Sequence, residues 1–200
     1  MSDRIEDVLD FWFGELNDLG CSSPEHRKRW WTKSDAFDEA IKSHFLGDYE
    51  AIVAGERDAW RSTARGALAY IITLDQFSRN MFRGTPEMFA ADELAREVCL
   101  EGLDAGFDAE LSFDERVFFY LPLEHSEEMV DHRRCLELFE GLVDDAPEPL
   151  EADAKNYLDF AKSHEAIVER FGRYPHRNQI LGRASTPDET EFLQEPGSSF

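Results

Sequence analysis

The chain has 200 residues, 42% hydrophobic and 12% aromatic, with 43 Asp and Glu against 21 Lys and Arg for a formal net charge of −22. That length and apolar content suit one buried core and tell against general disorder, while the run from Ala67 to Leu74 falls far short of the roughly 20 residues a membrane span needs. A surface this negative repels phosphate backbones and anionic lipid, which argues against nucleic-acid and membrane binding.

Met1-Ser2-Asp3-Arg4-Ile5-Glu6-Asp7 is too acidic for a secretory signal, and Cys21, Cys99 and Cys135 form neither a C-x-x-C pair nor an even set. Packing cysteines in a reducing cytoplasm are expected. Only five of the 21 cations are Lys. Acid excess with lysine shortage suits a protein bathed in concentrated salt, where screening removes self-repulsion, so a halophilic source is expected.

The elements read as helices throughout. Asp3-x-x-Glu6 opens a first helix carrying Val8, Leu9 and Trp12, closed by Gly14. A basic, aromatic stretch follows, Arg27-Lys28-Arg29-Trp30-Trp31. Ser34 then caps a helix with Phe37, Ile41 and Phe45 on one face. Helical spacing of Trp60, Ala64, Ala67, Leu68, Ile71 and Ile72 predicts one long helix over 58–76. Thr85-Pro86-Glu87 starts another that ends near Gly106, and Ser112-Phe113-Asp114-Glu115 is a capping box for a helix interrupted at Pro122. Further helices run through Leu142, from Glu151 to Phe171 with Gly172 as the stop, and from Thr186-Pro187-Asp188-Glu189. The expected fold is all-α, eight or nine helices in a tetratricopeptide-repeat-like stack or a bundle, with one domain over 1–195 and a tail over 196–200.

Function is sought where the charge pattern inverts. Residues 170–187 carry no acid but include Arg170, Arg173, His176, Arg177 and Arg183; residues 59–86 hold only Asp75 beside Arg61, Arg65, Arg79 and Arg83. Both contain an aromatic residue, Arg-Asn, an apolar pair, Arg beside Gly, then Thr-Pro-acid. These are Phe77-Ser78-Arg79-Asn80-Met81-Phe82-Arg83-Gly84 and Tyr174-Pro175-His176-Arg177-Asn178-Gln179-Ile180-Leu181-Gly182-Arg183. Arginine forks beside helix starts suit a carboxylate or phosphate, and equally they suit internal pairing with the many acids of the chain. Asp75-Gln76 stands where it can orient an arginine.

The third polar cluster is Glu124-His125-Ser126-Glu127-Glu128, after Pro122. On a helix His125, Glu128 and His132 would share a face, a spacing that fits proton transfer and only weakly a metal. His164 falls on the apolar stripe of Tyr157, Ala161, Val168 and Phe171, and Val168 spoils a zinc-protease H-E-x-x-H pattern. No metal site is assigned, and nothing identifies a cofactor.

Together the three motifs, from Leu74 to Gly84, from Tyr120 to Glu127 and from Phe171 to Arg183, resemble an uncharacterised family catalogued as domain of unknown function 924. The resemblance runs from Val8 to Leu193 and implies an all-helical fold similar to tetratricopeptide-repeat proteins, with no established activity. Two readings stay open. In the first, Asp75, Gln76, Arg79, Asn80, Arg83, His164, Arg173, Arg177, Asn178 and Arg183 bind a small anionic ligand, and His125 or His176 moves a proton with Glu124 or Glu127 orienting the histidine. In the second, the helices form a scaffold for a partner protein and the motifs are internal glue. Whether the chain is an enzyme, and its oligomeric state, are left open. Salt adaptation predicts that the melting temperature rises between low and molar KCl; a Tm already maximal at low salt would sink that expectation.

Overall fold

A computed structural model describes residues 4–198, all of whose regular elements are helical. The α-helices are α1 Arg4–Phe13, α2 Pro24–Trp30, α3 Asp35–Val53, α4 over 64–81, α5 Asp92–Asp104, α6 Phe113–Glu124, α7 Met129–Asp145, α8 Glu151–Phe171 and α9 Pro187–Phe192. Short 3-10 turns fall at Asp58–Ser62, Pro86–Phe89, Phe107–Glu110, Glu148–Leu150 and Pro175–Arg177. The expected all-α class and helix number hold. Asp3 lies outside the described residues, as do the last two positions of the expected tail.

Local chemistry sets most boundaries. The Ser34 hydroxyl accepts the Phe37 N–H at the start of α3, and Thr186 with Glu189 makes a reciprocal capping box on α9. Gly172 ends α8 with φ 66, a left-handed conformation that a side chain would strain.

Three expectations are corrected. The long helix over 58–76 is instead a 3-10 turn, a new start capped by Thr63, an α segment Ala64–Ile71, a π segment Ile72–Phe77 and a last α turn Ser78–Met81. The break turns the Trp60 carbonyl onto Gly66, where a Cβ would lie 2.1 Å from the oxygen, so only glycine fits there. Pro122 lies inside α6, which continues to Glu124, so its missing N–H costs the helix one donor without ending it. His125 and His132 therefore stand on different elements, with Glu128 at the N-cap position of α7.

Contacts divide the chain into two compact units, one of Met1–Arg83 with Glu87–Pro122, the other of Gly84–Pro86 with Leu123–Phe200. The first is built on an aromatic cluster. Phe118, fully buried, meets Trp12, Phe13 and Trp30 edge-on at centroid distances of 5.4, 5.5 and 4.6 Å, and Trp30 Nε1 donates to the Trp12 carbonyl. Beside it Arg27 grips the fully buried Asp114 through both carboxylate oxygens, at 3.0 and 2.6 Å, while the Ser22 N–H donates to the same group. In the second unit α7 packs along α8, and Ile167, Val168, Tyr174 and Phe192 form a core with Met129 and Phe171 against it.

Asp114 holds the α2 region to the start of α6. Asp114→Ala leaves the Arg27 guanidinium facing a cavity without its counter-charge, and urea unfolding should show a loss of about 3–5 kcal/mol. A loss under about 1 kcal/mol would mean that water replaces the carboxylate without cost.

Candidate functional site

The first Arg-Asn motif starts in the π segment. All six of its residues are buried, and the wider turn brings Gln76 Nε2 to 2.6 Å from Asp75 Oδ2. Arg79 Nη1 donates to the Asp75 carbonyl at 2.6 Å, lies 3.1 Å from Asp75 Oδ1, and reaches Asp92 Oδ1 at 2.9 Å; Nη2 donates to Asp92 Oδ2 at 3.1 Å. Asn80 and Arg83 share Asp38, in the first turn of α3: Asn80 Nδ2 donates at 2.7 Å, and Arg83 Nε and Nη2 at 2.7 and 2.9 Å. Burial works to raise the Asp38 carboxyl, but Arg83 and Asn80 outweigh it and hold it below the usual range. All five sequence-selected residues of this motif thus lie in the first unit.

The second motif follows the same plan in the second unit. Arg173 Nε and Nη2 donate to the two oxygens of Glu189 at 2.6 and 2.8 Å, and Asn178 Nδ2 reaches Glu189 Oε2 at 3.4 Å. Arg173, aided by the Thr186 N–H, pulls the Glu189 carboxyl down to about 2. Asn178 Oδ1 accepts from Arg183 Nε at 2.9 Å, and Arg183 in turn grips Glu127 with Nη1 and Nη2 at 2.6 and 2.9 Å. Glu127 also accepts the Tyr174 N–H at 2.8 Å. Burial alone would raise the Glu127 carboxyl; Arg183 and that N–H outweigh it and lower it.

The remaining residues gather round Tyr174, which is 1% exposed and donates its hydroxyl to the Glu124 carbonyl. The rings of His176, His164 and His132 have centroids 5.5, 5.8 and 6.1 Å from that of Tyr174, and the His125 ring is 6.5 Å from that of His164. The Arg177 guanidinium lies over the tyrosine at 4.6 Å and donates to the His125 carbonyl at 2.9 Å. His164 Nδ1 is 2.8 Å from the Phe160 carbonyl and 3.3 Å from Glu124 Oε1. With two acceptors at Nδ1, the proton of the neutral ring belongs there. By the same logic His132 carries its proton on Nε2, 2.9 Å from the Ser126 carbonyl.

His132 and His164 are buried, while His125 and His176 are partly exposed. Burial pushes His164 down to about 3 and lowers His132, and the Tyr174 hydroxyl is raised, again by burial first and Glu124 second. The buried pair therefore stays neutral at physiological pH.

Glu124, His125, Glu127, His164, His176, Arg177, Asn178, Arg173 and Arg183 thus form one connected network in the second unit. Sequence reasoning missed Tyr174 as its centre and Glu189, Asp38 and Asp92 as partners of the arginines. Tyr174 was visible as the aromatic opening the second motif; nothing in the spacing marked the three acids.

These features define an all-helical protein with its polar chemistry in two Arg-Asn motifs and a histidine cluster. The chain belongs to the family described as "bacterial protein of unknown function (DUF924)", whose model matches residues 8–197. It is also similar to the solved structure of the protein of unknown function ATU0120 from Agrobacterium tumefaciens, with 38% identity and a TM-score of 0.81 over 96% of this chain and 97% of that one. No protein of curated function matches it.

The buried histidines make stability depend on pH in a definite direction. Their folded pKa values lie below the ordinary 6.5, so the unfolded chain binds more protons as pH falls through that value; stability is full above about 6.5 and lost toward the folded value of about 3. Glu189, lowered from 4.5, adds its loss only below that point. Between pH 7 and 5 the urea midpoint should therefore fall for the native chain and fall less for His164→Asn, which keeps a donor near Nδ1; equal slopes would assign the effect elsewhere.

Proposed function

We propose that the Tyr174-centred cluster binds a small carboxylate- or phosphate-bearing ligand and moves a proton on it. The observation that carries this reading is the gathering of three of the six histidines, His132, His164 and His176, with the Arg177 guanidinium round one buried tyrosine, and of a fourth, His125, against His164. Arg177 holds the anionic group, since its charge is 7% exposed and set rigidly on the Tyr174 face. His125 or His176, the partly exposed pair, exchanges the proton. Glu124 and neutral His164 position the histidines from behind, while Glu127, Asn178, Arg173 and Arg183 fix the loop. Asp75, Gln76, Arg79, Asn80 and Arg83 are a further set of candidate ligand groups in the first unit.

A second reading, a tetratricopeptide-like scaffold for a partner protein, is favoured by one observation. Arg79, Arg83, Arg173 and Arg183 each already hold a carboxylate of the protein, as internal glue would. Under either reading the three buried cysteines suit a reducing cytoplasm, and the acid excess suits concentrated salt.

Thermal melting in constant high KCl, against a panel of small phosphates and carboxylates, separates the two. A ligand at 100 times its Kd stabilises by about 2.7 kcal/mol, a rise of roughly 5–11 °C for a chain of this length. The ligand reading expects a selective rise that Arg177→Ala and His176→Asn remove, His176→Asn without lowering the ligand-free Tm. A flat panel, or a rise that both variants keep, supports the scaffold instead.

A further inference from the structure

A cleft of about 230 Å³ opens in the first unit, between α2 and the start of α3, lined by Glu25, Lys28, Arg29, Thr32, Ser34 and Phe37. It belongs to the basic, aromatic stretch that the Tyr174 cluster does not use. Its chemistry is unusual for a chain with twice as many acids as cations. Arg29 is half-buried, and no carboxylate lies within ion-pairing distance of it among the described residues; its Nη2 donates to the Phe11 carbonyl at 3.2 Å and its Cζ sits 4.9 Å above the Phe37 ring. The buried Nε–H has no acceptor. Burial lowers the Arg29 pKa, as it does for a charge taken from water without compensation.

The neighbours complete a receptor for an anion with an apolar body. Lys28 is exposed, and no side-chain partner holds its ammonium. The Ser34 hydroxyl oxygen accepts the Phe37 N–H, which leaves its proton to give; the Thr32 hydroxyl donates to the Lys28 carbonyl, which fixes its oxygen in the lining. The one acid of the lining, Glu25, is exposed to solvent. Phe37 and the aliphatic stems of Lys28 and Arg29 make an apolar floor, and Phe37 is itself held by stacking on Phe11 at 5.6 Å. The volume is below the roughly 300–1,000 Å³ of drug-sized sites, so the occupant is small.

We propose that this cleft binds a small aryl or alkyl oxyanion, with its carboxylate or phosphate between Lys28 and Arg29 and its apolar part on Phe37. The occupant supplies the counter-charge that the fold withholds from Arg29. The site is independent of the Tyr174 cluster.

Amide-resolved NMR titration of the ¹⁵N-labelled full chain with phenyl phosphate, in constant KCl, tests it. Saturable shifts at residues 25–37, following a binding curve of their own, are expected. Inorganic phosphate, which lacks the ring, and benzyl alcohol, which lacks the charge, should each bind at least tenfold more weakly, and Lys28→Glu and Arg29→Gln should each weaken phenyl phosphate by roughly tenfold. Lys28→Glu changes an exposed side chain that holds nothing together, so it keeps the test valid if Arg29→Gln unfolds. No shifts at residues 25–37, equal binding of benzyl alcohol, equal binding of inorganic phosphate there, or an unchanged Kd in Lys28→Glu would each overturn the proposal, whereas separate shifts round Tyr174 would report on the other site.

Discussion

Folding this chain requires burying carboxylates, and cations are scarce. Asp48, Asp75, Asp114, Glu115 and Glu189 are each 5% exposed or less, and each is met by an arginine: Arg4, Arg79, Arg27, Arg65 and Arg173 respectively. An isolated buried carboxylate would cost several kcal/mol, and the planar guanidinium compensates it with two donors at once where lysine offers a point charge. Five of the 16 arginines of the sequence serve that need. At buried Glu124 the imidazole of His164 takes part as well, its Nδ1 3.3 Å from Oε1.

The same device recurs in both units. An asparagine and an arginine take hold of one acid in the first turn of a helix: Asn80 and Arg83 on Asp38, Asn178 and Arg173 on Glu189. The likeness between the two stretches of sequence is thus a likeness of local architecture. Only the second adds an arginine, Arg177, stacked on an aromatic ring among histidines.

Much of the fold was legible because it is local. Gly172, Ser34 and the Thr186–Glu189 box act within four residues, and the apolar spacing of α3 and α8 needs no partner to be read. The π segment was not legible: every residue from Ile72 to Phe77 is buried, so no polar face marks the period, and the wider turn is imposed by packing. Pro122 misled because a proline in the last turn of a helix looks the same in sequence as one that breaks it. For the candidate site, the arginines, asparagines and histidines stood out against an acidic background. Their acids did not, since 43 carboxylates offer too many pairings and only the tertiary fold selects Glu189, Asp38 and Asp92.

The π segment also sets a phase. Each residue of an α-helix advances about 100° round the axis, and a turn with i→i+5 bonding holds one residue more than the α period allows. Everything after Phe77 in α4, including Arg79 and Asn80, is therefore offset in azimuth from where the apolar stripe of Ala64–Ile71 would have carried it. The heading of those side chains is a property of chain length through the segment more than of any side chain in it. A relative lacking one residue there would keep every motif letter and aim its arginine at a different face.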